Sequence, residues 1–155
     1  MEAIEYSRPP FFITTDKSRM DWDVVFKLLK ATYWGENLRR EVFDSYVQHS
    51  LCFGLFDSAT QIGFARLITD YTTFAYLADV IIVEPYRGKG LGVWLVSSIL
   101  AHPQLQGLRR WMLATRDAHG LYAKLGFTPL AEPSRYMEIY RPNSTKQLIH
   151  QKDNE

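Results

Sequence analysis

Between residues 22 and 33 apolar side chains return every three or four positions, at Trp22, Val25, Phe26, Leu29 and Tyr33, the spacing of one face of an α-helix. Asp21 stands ahead of this run as an N-cap, and Gly35 closes it. A second stripe, Leu38, Val42 and Tyr46 with Phe43 and Val47 beside them, predicts a helix over residues 38–48. The period then shortens. Residues 51–57 and 61–70 are rich in β-branched and aromatic side chains, and the short turn between them makes them an antiparallel hairpin. A strand over 74–83, a helix over 90–101 stopped by Pro103, and a strand over 108–115 follow. The pattern ends with a short helix over 117–125, closed by Gly126, and a last strand over 136–142. Ahead of all these, residues 11–16 follow two prolines and read as a first strand.

The strand, helix, strand unit over 74–115 is long enough to bring its two strands parallel through a right-handed crossover, so the sheet is expected to be mixed. A chain of 155 residues fits one domain. It is read as a single domain over 1–142 and a polar, frayed tail over 143–155. Hydrophobic residues at 46% and charged ones at 23% belong to a globular protein rather than a disordered one. With a formal net charge of +1 there is no broad field to hold nucleic acid or an anionic membrane, so any anion site must be local. One cysteine, Cys52, excludes an internal disulfide, and the four histidines have no zinc-site spacing, so no metal is expected. The first ten residues lack the features of a signal peptide, and no apolar run reaches the length of a membrane span. The expectation is a cytoplasmic protein without nucleic-acid or membrane partners.

Candidate chemistry concentrates where the strand over 74–83 runs into Arg87-Gly88-Lys89-Gly90-Leu91-Gly92 and then a helix. Such a stretch is either a tight turn or an anion loop. Three missing Cβ atoms expose the amides of a helix start, whose dipole end is positive, beside two cations; a phosphate or pyrophosphate suits that surface. The spacing is not that of a Walker loop. It also departs from the dinucleotide fingerprint, which needs a glycine where Val93 stands and an acidic residue further on.

Arg87, Gly90 and Gly92 instead fill the Arg/Gln-x-x-Gly-x-Gly/Ala pattern, which resembles the acetyl-CoA loop of the GNAT superfamily of N-acetyltransferases. Residues 115–127, TRDAHGLYAKLGF, resemble a second signature of that family through Ala118, Leu121, Tyr122, Lys124, Gly126 and Phe127, with Thr115 where asparagine is usual. The element order over 11–141 is also similar. The resemblance implies a GNAT-like acyl-CoA acyltransferase fold of the α/β class: a central mixed, mostly antiparallel sheet with one parallel β-α-β crossover and helices on both faces. It further implies an N-acetyltransferase that uses acetyl-CoA as co-substrate and acetylates a primary amine, of a small molecule before a peptide, by direct attack in a ternary complex. A homodimer is among the states that the family offers.

Residue by residue, the resemblance implies that the backbone of Ile81, Ile82 and Val83 serves the acetyl oxygen and the pantetheine arm. Arg87, Gly88, Lys89, Gly90, Leu91 and Gly92 would hold the diphosphate, Thr115 would face the cofactor, and Tyr122 would be the acid for the leaving thiolate. Asp79 is the candidate base, since a carboxylate inside an apolar strand needs work or a partner; the other reading turns it to solvent or to Arg66. Tyr33, Trp34 and Glu36 lie in a connection that shapes the acceptor end in this family, and the two aromatics could equally pack in the core. Asp117 reads as a helix cap rather than as the partner of His119. Arg109, Arg110 and Trp111 alternate across a strand and make no nucleic-acid patch. Cys52 reads as a packed side chain, not an acyl-carrying nucleophile. Two other classes stay open: a non-catalytic acyl-CoA-binding or sensing module, and a nucleotide-phosphate site.

Overall fold

The computed structural model describes residues 1–142, and the expected tail at 143–155 lies outside them. The first helical stripe forms α1 (Trp22–Lys30), where Asp21 accepts a hydrogen bond from the Val24 amide at 3.2 Å and Val25 and Leu29 are buried. A Cβ at Gly35 would lie 1.9 Å from the Leu29 carbonyl oxygen, so only glycine allows the chain to turn back so closely behind α1. The second stripe forms α2 (Arg40–Gln48), which buries Phe43 and Val47.

The sheet has six strands in sequence order. β1 (Glu5–Arg8) and β2 (Phe11–Thr14) form a hairpin around Pro9 and Pro10, followed by β3 (Leu51–Asp57), β4 (Thr60–Thr69), β5 (Phe74–Ile82) and β6 (Arg110–Leu113). The pattern of residues 1–10 predicts no strand, because Glu5–Arg8 has no apolar alternation; β1 is specified by backbone pairing to β2 instead. Every neighbouring pair is antiparallel except β5 and β6, which are parallel across α3 (Leu91–Leu100), the expected crossover.

Alternation along the strands divides the core. Phe53, Leu55, Leu67 and Leu77 pack with Leu95 and Ile99 of α3 on one face, whereas Phe56 and Phe64 pack with Val25, Leu29 and Phe43 of α1 and α2 on the other. Burying such aromatic and aliphatic side chains stabilises a fold by about 1.5–3 kcal/mol each before chain entropy is charged against it. Cys52 is fully buried on the α1–α2 side, and burial pushes its thiol up to about 11. It is a packed side chain.

The structure departs from the sequence pattern in three places. Residues 136–142 form no strand: the turn at Pro133–Arg135 leads the chain away from the sheet, and Met137, Ile139 and Tyr140 stand 98%, 81% and 75% exposed. Alternation alone does not make a strand: β6 is the last strand of the sheet and Tyr136 lies beside its Arg110, yet the segment forms no backbone ladder with it. The short helix α4 (His119–Ala123) has Ala118 as its N-cap and no side-chain cap bond, so Asp117 does not cap it; the Thr115 hydroxyl accepts from the Ala118 amide at 3.0 Å in the turn just before the helix. β6 is shorter than 108–115 because the chain leaves β5 after Leu113, and that parting creates the site described next.

Candidate active site

The last register pair between β5 and β6 is Leu77 with Leu113, yet β5 continues to Ile82. The backbone beyond Leu77 therefore lies open on the β6 side, while the β4 side stays paired through Phe64 with Ile81 and Gly63 with Ile82. The Val83 amide closes this ladder on the Ile62 carbonyl at 2.8 Å. Because successive residues of a strand point their backbone groups to opposite sides, Ile81 and Val83 bond toward β4 and only Ile82 faces the open β6 side, where its carbonyl accepts from Arg87 Nε and its amide is left without a partner among the described residues. The far wall of the cleft on that side is the turn at Thr115 and α4.

Between Phe64 and Arg66 the β4–β5 register slips, so Asp79 and Val80 face Ala65 alone. This is a β-bulge, and Asp79 takes a left-handed φ of 54° within it. Asp and Asn tolerate that conformation better than most residues. The bulge re-aims Asp79 toward Arg66, whose Nε donates to one carboxylate oxygen at 2.8 Å, and toward Trp34, whose indole Nε1 donates to the other at 3.2 Å. The Arg66–Asp79 side chains are only 14% and 11% exposed, so this ion pair is largely desolvated. Arg66 also stacks on the Tyr46 ring at 4.1 Å. Burial, reinforced by the neighbouring Asp79, holds the Tyr46 phenol far above its ordinary range.

The connection after α1 folds over this end of β5. Tyr33 and Trp34 meet edge to face at 5.0 Å, and the Arg116 guanidinium lies 3.7 Å from the Tyr33 ring centre. Tyr33 and Trp34 are half exposed and line a mouth rather than the core. Glu36 is exposed and makes no hydrogen bond or ion pair among the described residues, so it stands outside this cluster. Tyr46 and Arg116 were not singled out from the sequence, where Tyr46 is one member of a helical stripe and Arg116 one surface cation; only the bulge and the end of β6 bring them here.

At the other end of the cleft, β5 leads through a single turn at Glu84–Tyr86 into the glycine loop. Gly88 and Gly90 have φ of 77° and 78°, and a Cβ built on either meets nothing within 4 Å. The amides of residues 88–93 make no hydrogen bond among the described residues; the first bonded amide of α3 is Trp94, to Gly90. Arg87 reaches back to the Ile82 carbonyl with its Nε at 2.8 Å, and Lys89 Nζ sits 5.4 Å from the Tyr86 ring centre. Tyr86 in turn donates to Asp57 at 2.6 Å, anchoring the turn to β3. Free amides, a helix start and open space where side chains would otherwise stand fit a diphosphate.

α4 closes the cleft against this loop: Leu121 Cδ1 would be 3.6 Å from a Cβ at Gly92, and Ile82 Cγ1 3.9 Å from it. Tyr122 meets Phe127 edge to face at 5.8 Å, and burial raises its phenol above the ordinary value, so it stays protonated at neutral pH. Among the described residues its hydroxyl has no hydrogen-bond partner, leaving it free to donate. The Thr115 hydroxyl accepts from the Ala118 amide and keeps its own proton to donate. No group of three or more metal-ligating side chains occurs among the described residues.

Comparison with known proteins adds four findings. The model of the acetyltransferase (GNAT) family matches residues 19–127. A crystal structure of a candidate GNAT-family acetyltransferase from Xanthomonas campestris pv. campestris is 44% identical and superposes with a TM-score of 0.83, over 88% of this chain and 96% of that one. A candidate acetyltransferase of Gibberella zeae is 29% identical over 77% of this chain and 79% of its own length. A GNAT family acetyltransferase from Elizabethkingia anophelis, determined with acetyl-CoA bound, shares the fold at 16% identity and a TM-score of 0.60, over 86% and 90% of the two chains.

Proposed function

The chain belongs to the GNAT family of acetyltransferases, and from that premise we propose that it moves an acetyl group from acetyl-CoA to the primary amine of a small molecule, by direct attack within a ternary complex. One observation supports the reading: the sheet parts at the end of β5, and the unpaired amides of residues 88–93 lie there with α4 packed against them through Leu121.

Acetyl-CoA brings an activated thioester. The amides of residues 88–93 receive its diphosphate, with Gly88, Gly90, Leu91 and Gly92 leaving the approach clear and Arg87 and Lys89 adding charge-assisted contacts. The backbone of Ile81–Val83, where β5 has lost its β6 neighbour, borders the pantetheine arm and the acetyl oxygen, with the Ile82 amide as the donor left open and the Ile82 carbonyl available once Arg87 turns to the diphosphate. Thr115 shapes the cofactor side through the turn that its hydroxyl closes. Tyr122 donates a hydrogen bond to the sulfur as negative charge builds there. Full proton transfer from a phenol (about 10) to a thiolate (about 8.5) would run uphill, and the burial of Tyr122 steepens it, so a strong hydrogen bond is the better description.

The acceptor amine must lose a proton. An alkylamine with a pKa near 10.4 is neutral about once in 2,500 at pH 7, a penalty of roughly 4–5 kcal/mol. Both oxygens of Asp79 already accept hydrogen bonds, which favours relay through a water ordered at that carboxylate over direct abstraction. Tyr33 and Trp34 border the amine's approach, with Glu36 further out.

The test is release of free thiol from acetyl-CoA across a panel of small amines and amino-terminal peptides. Turnover with at least one small amine is expected, and Tyr122→Phe should lower kcat about a hundredfold with little change in KM for acetyl-CoA. Acetyl-CoA binding without turnover on any acceptor would replace catalysis by a binding or sensing role. Faster turnover on peptides than on any small amine would overturn the acceptor class.

A further inference from the structure

A chain of contacts crosses the mouth of the cleft from one charge to another. The Arg116 guanidinium lies 3.7 Å from the Tyr33 ring centre, Tyr33 meets Trp34 edge to face at 5.0 Å, and the Trp34 indole donates to Asp79 at 3.2 Å. A cation thus stands at one end of an aromatic bridge and a carboxylate at the other. The carboxylate is already paired, with Arg66 at 2.8 Å in a nearly dry setting. The cation is not: Arg116 is exposed and makes neither an ion pair nor a hydrogen bond among the described residues.

Its setting suits an anion. Contact at 3.7 Å covers one face of the guanidinium with the Tyr33 ring, and the N–H edge is left to receive a carboxylate in the two-pronged manner that a planar fork allows. Asp79 offsets Arg66, so the mouth keeps one positive charge uncompensated. Glu36 and Asp117, the acidic residues nearest in sequence to Tyr33 and Arg116, are exposed and pair with neither arginine. The diphosphate of the coenzyme belongs with the free amides of residues 88–93 at the other end of the cleft, beside Arg87 and Lys89, so the anion that fits Arg116 comes with the acceptor.

We propose that the acceptor is of the amino acid class, a small amine whose own carboxylate docks on Arg116 while its nitrogen meets the water ordered at Asp79; this rests on the acetyl transfer proposed above. Trp34 and Arg66 each take one Asp79 oxygen, and a carboxylate offers about four acceptor positions, so Asp79 can orient that water and the incoming ammonium together. The half-exposed Tyr33 and Trp34 lie between the two charged ends and border the carbon chain that joins them. The ammonium loses one proton through the water, the N–C bond forms as the C–S bond of the thioester breaks, and the second amine proton balances the departing thiolate. The acceptor's carboxylate stays intact throughout. An uncompensated cation at the mouth also disfavours polyamines, whose second charge would sit beside it.

Calorimetry on the protein saturated with free coenzyme A tests the docking without acetyl transfer. The probes are amino acids and the amines left when the carboxylate is removed: phenylalanine against phenethylamine, leucine against isoamylamine, β-alanine against ethylamine. At least one amino acid is expected to bind about tenfold more tightly than its twin, and Arg116→Gln should bring that pair to within about twofold. Arg116→Lys keeps the charge and loses the fork, so its preference should fall between the two, which separates anion docking from a misfolded mouth. Thiol release from acetyl-CoA should show the same preference in kcat/KM. Equal binding within every pair, or a preference that survives Arg116→Gln, overturns the proposal. If no acceptor were acetylated while the binding preference and its loss in Arg116→Gln held, acetyl transfer would fail and the carboxylate site would stand. Turnover of plain amines with no preference for their carboxylated twins would do the reverse.

Discussion

At the residue scale, the glycines of the loop separate into two kinds. Gly90 has a φ of 78°, so Gly90→Ala strains the backbone by about 1–2 kcal/mol, and both urea stability and acetyl-CoA affinity should fall. Gly92 has no such φ, and a Cβ there makes only ordinary contacts of 3.6 and 3.9 Å. Gly92→Ala should therefore leave both the unfolding midpoint and the calorimetric affinity for coenzyme A nearly unchanged, because the added methyl packs against Leu121 and Ile82 and the loop pattern takes glycine or alanine at this position. Cys52 gives a prediction of another sort. Its folded thiol is raised to about 11 from an ordinary 9.0, so the native state holds the proton more tightly than the unfolded chain does. That contribution is complete below pH 9 and lost as the pH rises toward 11. Cys52→Ala should flatten the fall in melting temperature over the first part of that window, from pH 9 to 10, before the tyrosines titrate.

At the scale of elements, the bulge in β5 and the early end of β6 make the site from an otherwise ordinary sheet. The bulge holds because Arg66 and Trp34 satisfy Asp79 in a nearly dry setting. Arg66→Met strands that carboxylate and should cost about 3–5 kcal/mol, read from denaturant unfolding. Asp79→Asn keeps a residue that tolerates the left-handed φ and can still accept from Trp34; it should lose less stability than Arg66→Met. If Asp79 also orders the water that takes the amine's proton, Asp79→Asn should lower kcat/KM most at low pH, where the neutral amine is scarcest.

At the scale of the whole molecule, six strands carry α1 and α2 on one face and α3 on the other, so the cofactor loop and the acceptor mouth lie at the same end of β5. A ligand that bridges loop and cleft is bound only by the folded state. Coenzyme A or acetyl-CoA at 100 times its dissociation constant should therefore add about 2.7 kcal/mol of stability, a rise in melting temperature of roughly 5–10 °C for a chain of this size. ATP or NAD at the same concentration should add much less, since neither carries a pantetheine arm to lie along the open side of β5 at Ile82. An equal shift with ATP would return the loop to a general phosphate site.

Local spacing alone determined much of this protein. The stripes of α1 and α2, the helix between the glycine loop and Pro103, the β3–β4 hairpin, the parallel crossover and the glycine loop at its turn all follow from local repeats, breakers and missing Cβ atoms, and these need no knowledge of distant partners. The tertiary structure alone decided what depends on such partners. β1 exists because β2 pairs with it, while residues 136–142 have the alternation of a strand and pair with none among the described residues. Asp79 meets Arg66 and Trp34 because one register slip turns it, and Arg116 reaches Tyr33 because β6 stops at Leu113. Periodicity fixes which way a residue faces within its own element; register and strand endings, set by contacts far apart in the chain, fix what it meets.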